Sequence, residues 1–141
     1  MLDAHSLEVL GERECLNLLG HASLGRVALC FGALPAIFPV HFSLLGRDPV
    51  FRTEGGSKLT AASAGQVLCL EVDHADPESH TGWSVMVTGI AQVLTGLDLE
   101  LAQSLPLRPW VGTGDAYVRI HATLLSGRRV HPAHASDPRP V

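Results

Sequence analysis

TGWSVMVTGIAQVLT, residues 81–95, is the stretch whose reading decides the fold. It alternates well enough to form one long strand, and Gly89 interrupts it in mid-run. A glycine at such a place marks a bulge or a bend where a sheet curls, and a kinked strand of this kind serves barrel closure. Just upstream, QVLCLEVD (66–73) predicts a buried strand, apolar at Val67, Leu68, Cys69, Leu70 and Val72, and the polar HADPESH (74–80) predicts the turn between the two. Downstream, LDLELAQSL predicts a short helix, LRPWVGTGD an irregular loop, and AYVRIHATLLSGRRV one or two final strands.

Further out the same rhythm continues. GRVALCFG (25–32) and PAIFPVHFSL (35–44) are β-rich runs joined by a short connection and read as a hairpin. Pro39 lies inside the second run, so that strand needs an edge position or a bulge there, because proline cannot donate to a ladder. PVFRT (49–53) predicts a third strand. Ser57 is expected to cap a short helix, SKLTAASA, that Gly65 stops. At the amino end, residues 6–19 (SLEVLGERECLNLL) carry a helical pattern, with Gly20 as its C-cap. The tail HPAHASDPRPV (131–141) is too rich in proline and polar residues to fold, leaving one domain over residues 1–130. Strands separated by tight turns, with few helical crossovers, favour a small closed or partly open antiparallel barrel of six or seven strands over a parallel sheet.

Composition narrows the function. A chain of 141 residues has room for one core. Net charge is -4, which argues against a nucleic-acid partner. At 46% hydrophobic residues the chain is slightly apolar for its size, so some apolar surface is expected to meet a partner subunit. Cys15, Cys30 and Cys69 are odd in number and set among apolar neighbours, which reads as reduced core thiols of a cytoplasmic protein. No secretory signal and no membrane span is legible.

The chemistry gathers in FRTEGGSKL, residues 51–59. Lys58 is the single lysine of the chain. Arg52 and Lys58 supply positive charge, Thr53 and Ser57 supply hydroxyls, and two glycines let backbone N–H groups approach an anion. By themselves these residues fit a turn and helix cap as well as a phosphate site. The eight histidines are scattered, with neither HExxH nor a Cys/His cluster at ligand spacing, so no metal site is expected. GxSxG, GxGxxG and GxxxxGK[ST] are absent, which removes the usual signs of a hydrolase elbow, a Rossmann site or a P-loop.

Taken in order, GRVAL, PAIFPVHF, VFRTEGGSKL, LCLEVD, GWSVMVTGIAQVL and AYVRIHATLLSGRRV resemble the pyridoxamine 5'-phosphate oxidase-like proteins of the FMN-binding split-barrel superfamily, over about Glu12 to Val130. The resemblance implies a mainly β fold, a split barrel of Greek-key type with short peripheral helices, in a homodimer with its cofactor near the interface. It implies that Arg52, Thr53, Ser57 and Lys58 grip the phosphate of FMN, and that Val40 and His41 run beside the flavin ring. His41 stands where the family usually has asparagine; unlike an amide, imidazole gains a proton near neutral pH. Trp83 matches a position near the interface and the cofactor pocket. The implied activity is a flavin-dependent oxidation or reduction of a small molecule, with no catalytic side chain assigned. A deazaflavin coenzyme, or non-catalytic flavin or haem binding with His41 as an iron ligand, are the alternatives. Oxidation of pyridoxamine phosphate itself needs a second phosphate site, for which the remaining basic residues form no obvious cluster.

Overall fold

The computed structural model describes residues 7–109 and 114–132. Eight strands and three helices follow one another: β1 (Leu7–Leu10), α1 (Glu12–Gly20), β2 (Leu24–Phe31), β3 (Leu34–Leu45), β4 (Asp48–Thr53), α2 (Ser57–Ser63), β5 (Val67–Asp76), β6 (Thr81–Val93), α3 (Gly96–Gln103), β7 (Ala116–Ile120) and β8 (Leu124–Val130). All pairings among them are antiparallel.

Six strands close a ring in the order β6-β5-β2-β3-β4-β7, and β7 returns to β6. Strands β2, β3 and β4 are consecutive hairpins, and β5 comes back to lie beside β2, which is a Greek key. Strand β6 makes the closure possible. Residues 82–88 pair with β8 on one side, and residues 91–93 pair with β7 in the other half of the barrel. Gly89 sits at the changeover, where a Cβ would stand 1.5 Å from the carbonyl oxygen of His121. The bend expected at Gly89 is therefore a close backbone approach that only glycine permits.

Several expectations need correction. Residues 6–19 do not form one helix: Leu7–Leu10 is an edge strand on β8, and α1 begins only at Glu12. The ring itself has the six strands expected, and among the described residues β1 and a separate β8 lie beside it. Residues 66–73 are not buried on both faces: Leu68, Leu70 and Val72 face the core, while Val67 is 58% exposed. Of the three thiols, only Cys15 is a core residue; Cys30 is exposed and Cys69 half-buried, and all three are free. Ser57 is the first residue of α2 rather than its cap, which is Gly56 at φ 110°. His131 does not belong to a detached tail, since its Nε2 lies 2.8 Å from the Glu8 carboxylate; residues 133–141 lie outside the described residues. Pro39 meets its condition. Its stretch of β3 pairs only with β2, since β4 joins at residues 42–45.

The barrel interior is filled by alternate residues, among them Val27, Val40, Phe42, Phe51, Leu70, Val85, Val87, Val118 and Ile120. Burial of each such side chain contributes about 1.5–3 kcal/mol. Outside the barrel, α3 and Leu107 cover Val50 and Leu94 on the β4–β7 side. A node of charge fastens that side to the rest. Asp48 is 7% exposed and accepts hydrogen bonds from Arg119 Nε at 2.7 Å and from the Ala122 N–H at 2.8 Å. Among the described residues, no such cover lies on the opposite face, formed by β3, β2, β5, β6 and β8.

Candidate functional site

The end of β4, the loop Glu54–Gly56 and the start of α2 enclose a cleft of about 260 Å³ lined by Phe38, Arg52, Thr53, Glu54, Gly55, Gly56, Ser57 and Lys58. The four residues singled out in FRTEGGSKL are thus brought together. Its volume falls just below the range of ordinary ligand pockets, and its two cations suit the phosphate end of a nucleotide.

Lys58 is half-buried, and its Nζ stands 5.1 Å from the centre of the Phe38 ring. Burial holds its pKa below the ordinary lysine value. Among the described residues no carboxylate pairs with it within ion-pair distance. A cation desolvated without a counter-ion is costly, and an anion entering the cleft relieves that cost.

Arg52 lies opposite Tyr117 in the β4–β7 ladder, with its guanidinium carbon 5.3 Å from the ring centre. Its Nε donates to the Gly114 carbonyl at 2.9 Å and its Nη1 to the Leu107 carbonyl at 3.3 Å. These carbonyls hold the group in place. Thr53 is 5% exposed, and its hydroxyl donates to the Glu54 carbonyl at 2.9 Å, so a direct bond from Thr53 to a phosphate requires that contact to be exchanged. The α2 helix has only seven residues, so most of the attraction for an anion falls on the two cationic side chains rather than on a helix dipole. Glu54 sets one negative charge at the rim against those two.

The other three candidates lie elsewhere. Val40 is 1% exposed and its side chain is spent in the core, which leaves its backbone as the part a ring could meet. His41 follows it on the alternate, outward face, opposite Leu24 of β2. Trp83 lines a separate cleft of about 550 Å³ with His74, His80, Ser84 and Arg128. Trp110, a candidate for a pocket entrance, lies outside the described residues. Phe38 and Gly114 were not anticipated. Phe38 was within reach of a period-two reading, two residues before Val40 on the same strand face; Gly114 carried no local signal, because it meets Arg52 across 62 residues of chain. No group of three or more His, Cys, Asp or Glu able to hold a metal ion occurs among the described residues. No helix among them is long and apolar enough to cross a membrane.

A closed six-stranded antiparallel ring with a basic cleft after β4 defines a protein of the split β-barrel class. The family model described as pyridoxamine 5'-phosphate oxidase matches residues 11–129, and the chain belongs to that family. A curated relative, an uncharacterised protein of Mycobacterium tuberculosis, is 33% identical over 133 residues, covering 90% of this chain and 88% of its own length. Among solved structures, the FAD binding protein from Mycobacterium smegmatis is 35% identical with a TM-score of 0.75, over 88% of this chain and 100% of that one. A candidate pyridoxamine 5'-phosphate oxidase from Corynebacterium glutamicum is 32% identical with a TM-score of 0.76, over 89% of this chain and 98% of that one.

Proposed function

We propose that this protein binds a flavin nucleotide, FMN in the first place, by its phosphate at Arg52, Thr53, Ser57 and Lys58, and works as a flavin-dependent oxidoreductase on a small molecule. The observation that carries the reading is Lys58: a half-buried cation with no carboxylate within ion-pair distance among the described residues, lining the same cleft as Arg52. Two cations match the nearly two negative charges of a phosphate monoester. When bound, the flavin supplies the electron-transfer chemistry; the protein's share is to hold the phosphate, orient the ring along β3 near Val40 and His41, and leave one face open.

The Mycobacterium smegmatis relative, by its name an FAD-binding protein, favours FAD as a second reading. FAD offers a diphosphate diester with about one charge on each phosphorus, so the paired cations of one cleft suit it less well than FMN. Titrating the purified protein separately with FMN, FAD, a deazaflavin, riboflavin and haem, followed by absorbance and flavin fluorescence, tests the assignment. Tightest binding of FMN supports it; preference for haem or the deazaflavin replaces it; no binding at micromolar concentration removes it.

The homodimer belongs to the same reading. The uncovered outer face of β3, β2, β5, β6 and β8 carries the exposed apolar side chains of Ile37, Leu24, Val67, Met86, Ile90 and Leu124. Across its middle run charges of both signs. Arg26 lies 3.8 Å from Glu71 and 3.7 Å from Asp73, and the Glu71 carboxyl is pushed up in pKa by burial and by Asp73. Five strands and about four same-face rows span roughly 20 Å by 20 Å, about half of one side of a standard interface. A patch with both charge signs can complement a copy of itself about a two-fold axis.

A further inference from the structure

We propose that Gly114 is a positioning residue for the phosphate cleft, acting through Arg52. The inference rests on the phosphate reading of that cleft and names a residue outside FRTEGGSKL on which it depends. An arginine side chain has much rotamer entropy to lose, so a guanidinium free to swing is a weak anion ligand. Here it is held before any anion arrives. Tyr117 lies under it, and the Gly114 and Leu107 carbonyls accept from Nε and Nη1. Both acceptors are neutral carbonyls, and together they fix its orientation. A carboxylate in the same place would hold the side chain equally well and remove its attraction for phosphate.

Only glycine serves at position 114. Its φ is +58°, and a Cβ there would meet the Pro109 Cβ at 2.4 Å, the Pro109 Cγ at 3.1 Å and the Arg52 Cβ at 3.3 Å. A side chain would strain the backbone and push the carbonyl away from Nε. The same crowding packs Pro109, Gly114 and the root of Arg52 into one rigid joint at the edge of the cleft.

The test is the affinity for FMN and for riboflavin, measured well below the melting temperature, for the wild type and Gly114→Ala. Riboflavin lacks the phosphate, so a merely structural defect lowers both affinities together. The inference expects FMN to weaken about tenfold and riboflavin to change less than twofold. If Gly114→Ala does not fold, Tyr117→Leu loosens the same guanidinium from its other side and should give a smaller loss, again confined to FMN. Equal losses for both ligands, or no loss for FMN, overturn the inference. Should the wild type bind neither flavin, the flavin reading fails by itself, and the joint is read with inorganic phosphate by 31P line broadening. Weaker phosphate binding in Gly114→Ala then supports the inference. Unchanged phosphate binding, or none in the wild type, overturns it.

Discussion

The Cα of Gly89 and the carbonyl of His121 occupy space that no side chain could share: a Cβ on residue 89 would lie 1.5 Å from that oxygen. The contact sits where β6 leaves β8 and takes up β7, and the His121 N–H donates to the Ile90 carbonyl at 3.0 Å beside it. Since backbone meets backbone, the clash cannot be relieved by turning a rotamer. Gly89→Ala should destabilise the fold by roughly 3 kcal/mol or more, seen as a large fall in melting temperature or loss of soluble protein. A melting temperature within two or three degrees of wild type, a shift of about 1 kcal/mol or less for a domain of this size, would show that closure does not depend on this approach.

Asp48 holds the neighbouring corner by accepting from Arg119 Nε and the Ala122 N–H. Asp48→Ala takes the acceptor from Arg119 Nε and from the Ala122 N–H, while Asp98 stays 3.6 Å from the Arg119 guanidinium, and should cost about 2 kcal/mol in a urea melt. Asp48→Asn keeps a carbonyl oxygen for Ala122 and should cost less. An Asn variant as unstable as the Ala variant would assign the whole effect to the charge.

The barrel was largely legible because its signals are local. Alternation marks β6, an apolar run marks β5, a mid-strand glycine marks the bend, and FRTEGGSKL places Arg52, Thr53, Ser57 and Lys58 within seven positions. What escaped was decided by distant chain. Leu7 and Leu10 suit a helix as well as a strand, and pairing with residues 127–130 settles the matter. Gly56 takes the cap position expected of Ser57 through a backbone angle that composition does not show. Arg52 was recognised as a cation, but its anchoring depends on carbonyls 55 and 62 residues away.

The uncovered sheet face gives a prediction about assembly. Ile37 and Ile90 are 67% and 53% exposed, so replacing both by lysine costs little within one chain. The doubly substituted protein should sediment as a folded monomer where the wild type sediments as a dimer. A monomeric wild type that binds flavin tightly would remove the second copy from the site.

Lys58 makes ligand binding depend on pH in a defined direction. Its pKa is lowered in the folded protein by burial, so between that value and the ordinary 10.5 the unfolded chain binds more protons. Stability of the ligand-free protein therefore gains from this group as pH rises through that window. FMN affinity runs the other way. It should climb as the phosphate loses its second proton near about pH 6, then fall once Lys58 deprotonates, at a pH below that of an ordinary lysine. Riboflavin affinity should show neither limb. An FMN profile flat up to the ordinary lysine range would mean that Lys58 does not meet the phosphate.

Isothermal titration of FMN and riboflavin against the wild type and Lys58→Ala tests the phosphate assignment most directly. Loss of a hydrogen bond to a charged group should weaken FMN by about 1.5–3 kcal/mol and leave riboflavin almost unchanged. Equal losses for the two ligands, or an FMN affinity indifferent to the substitution, would contradict the account.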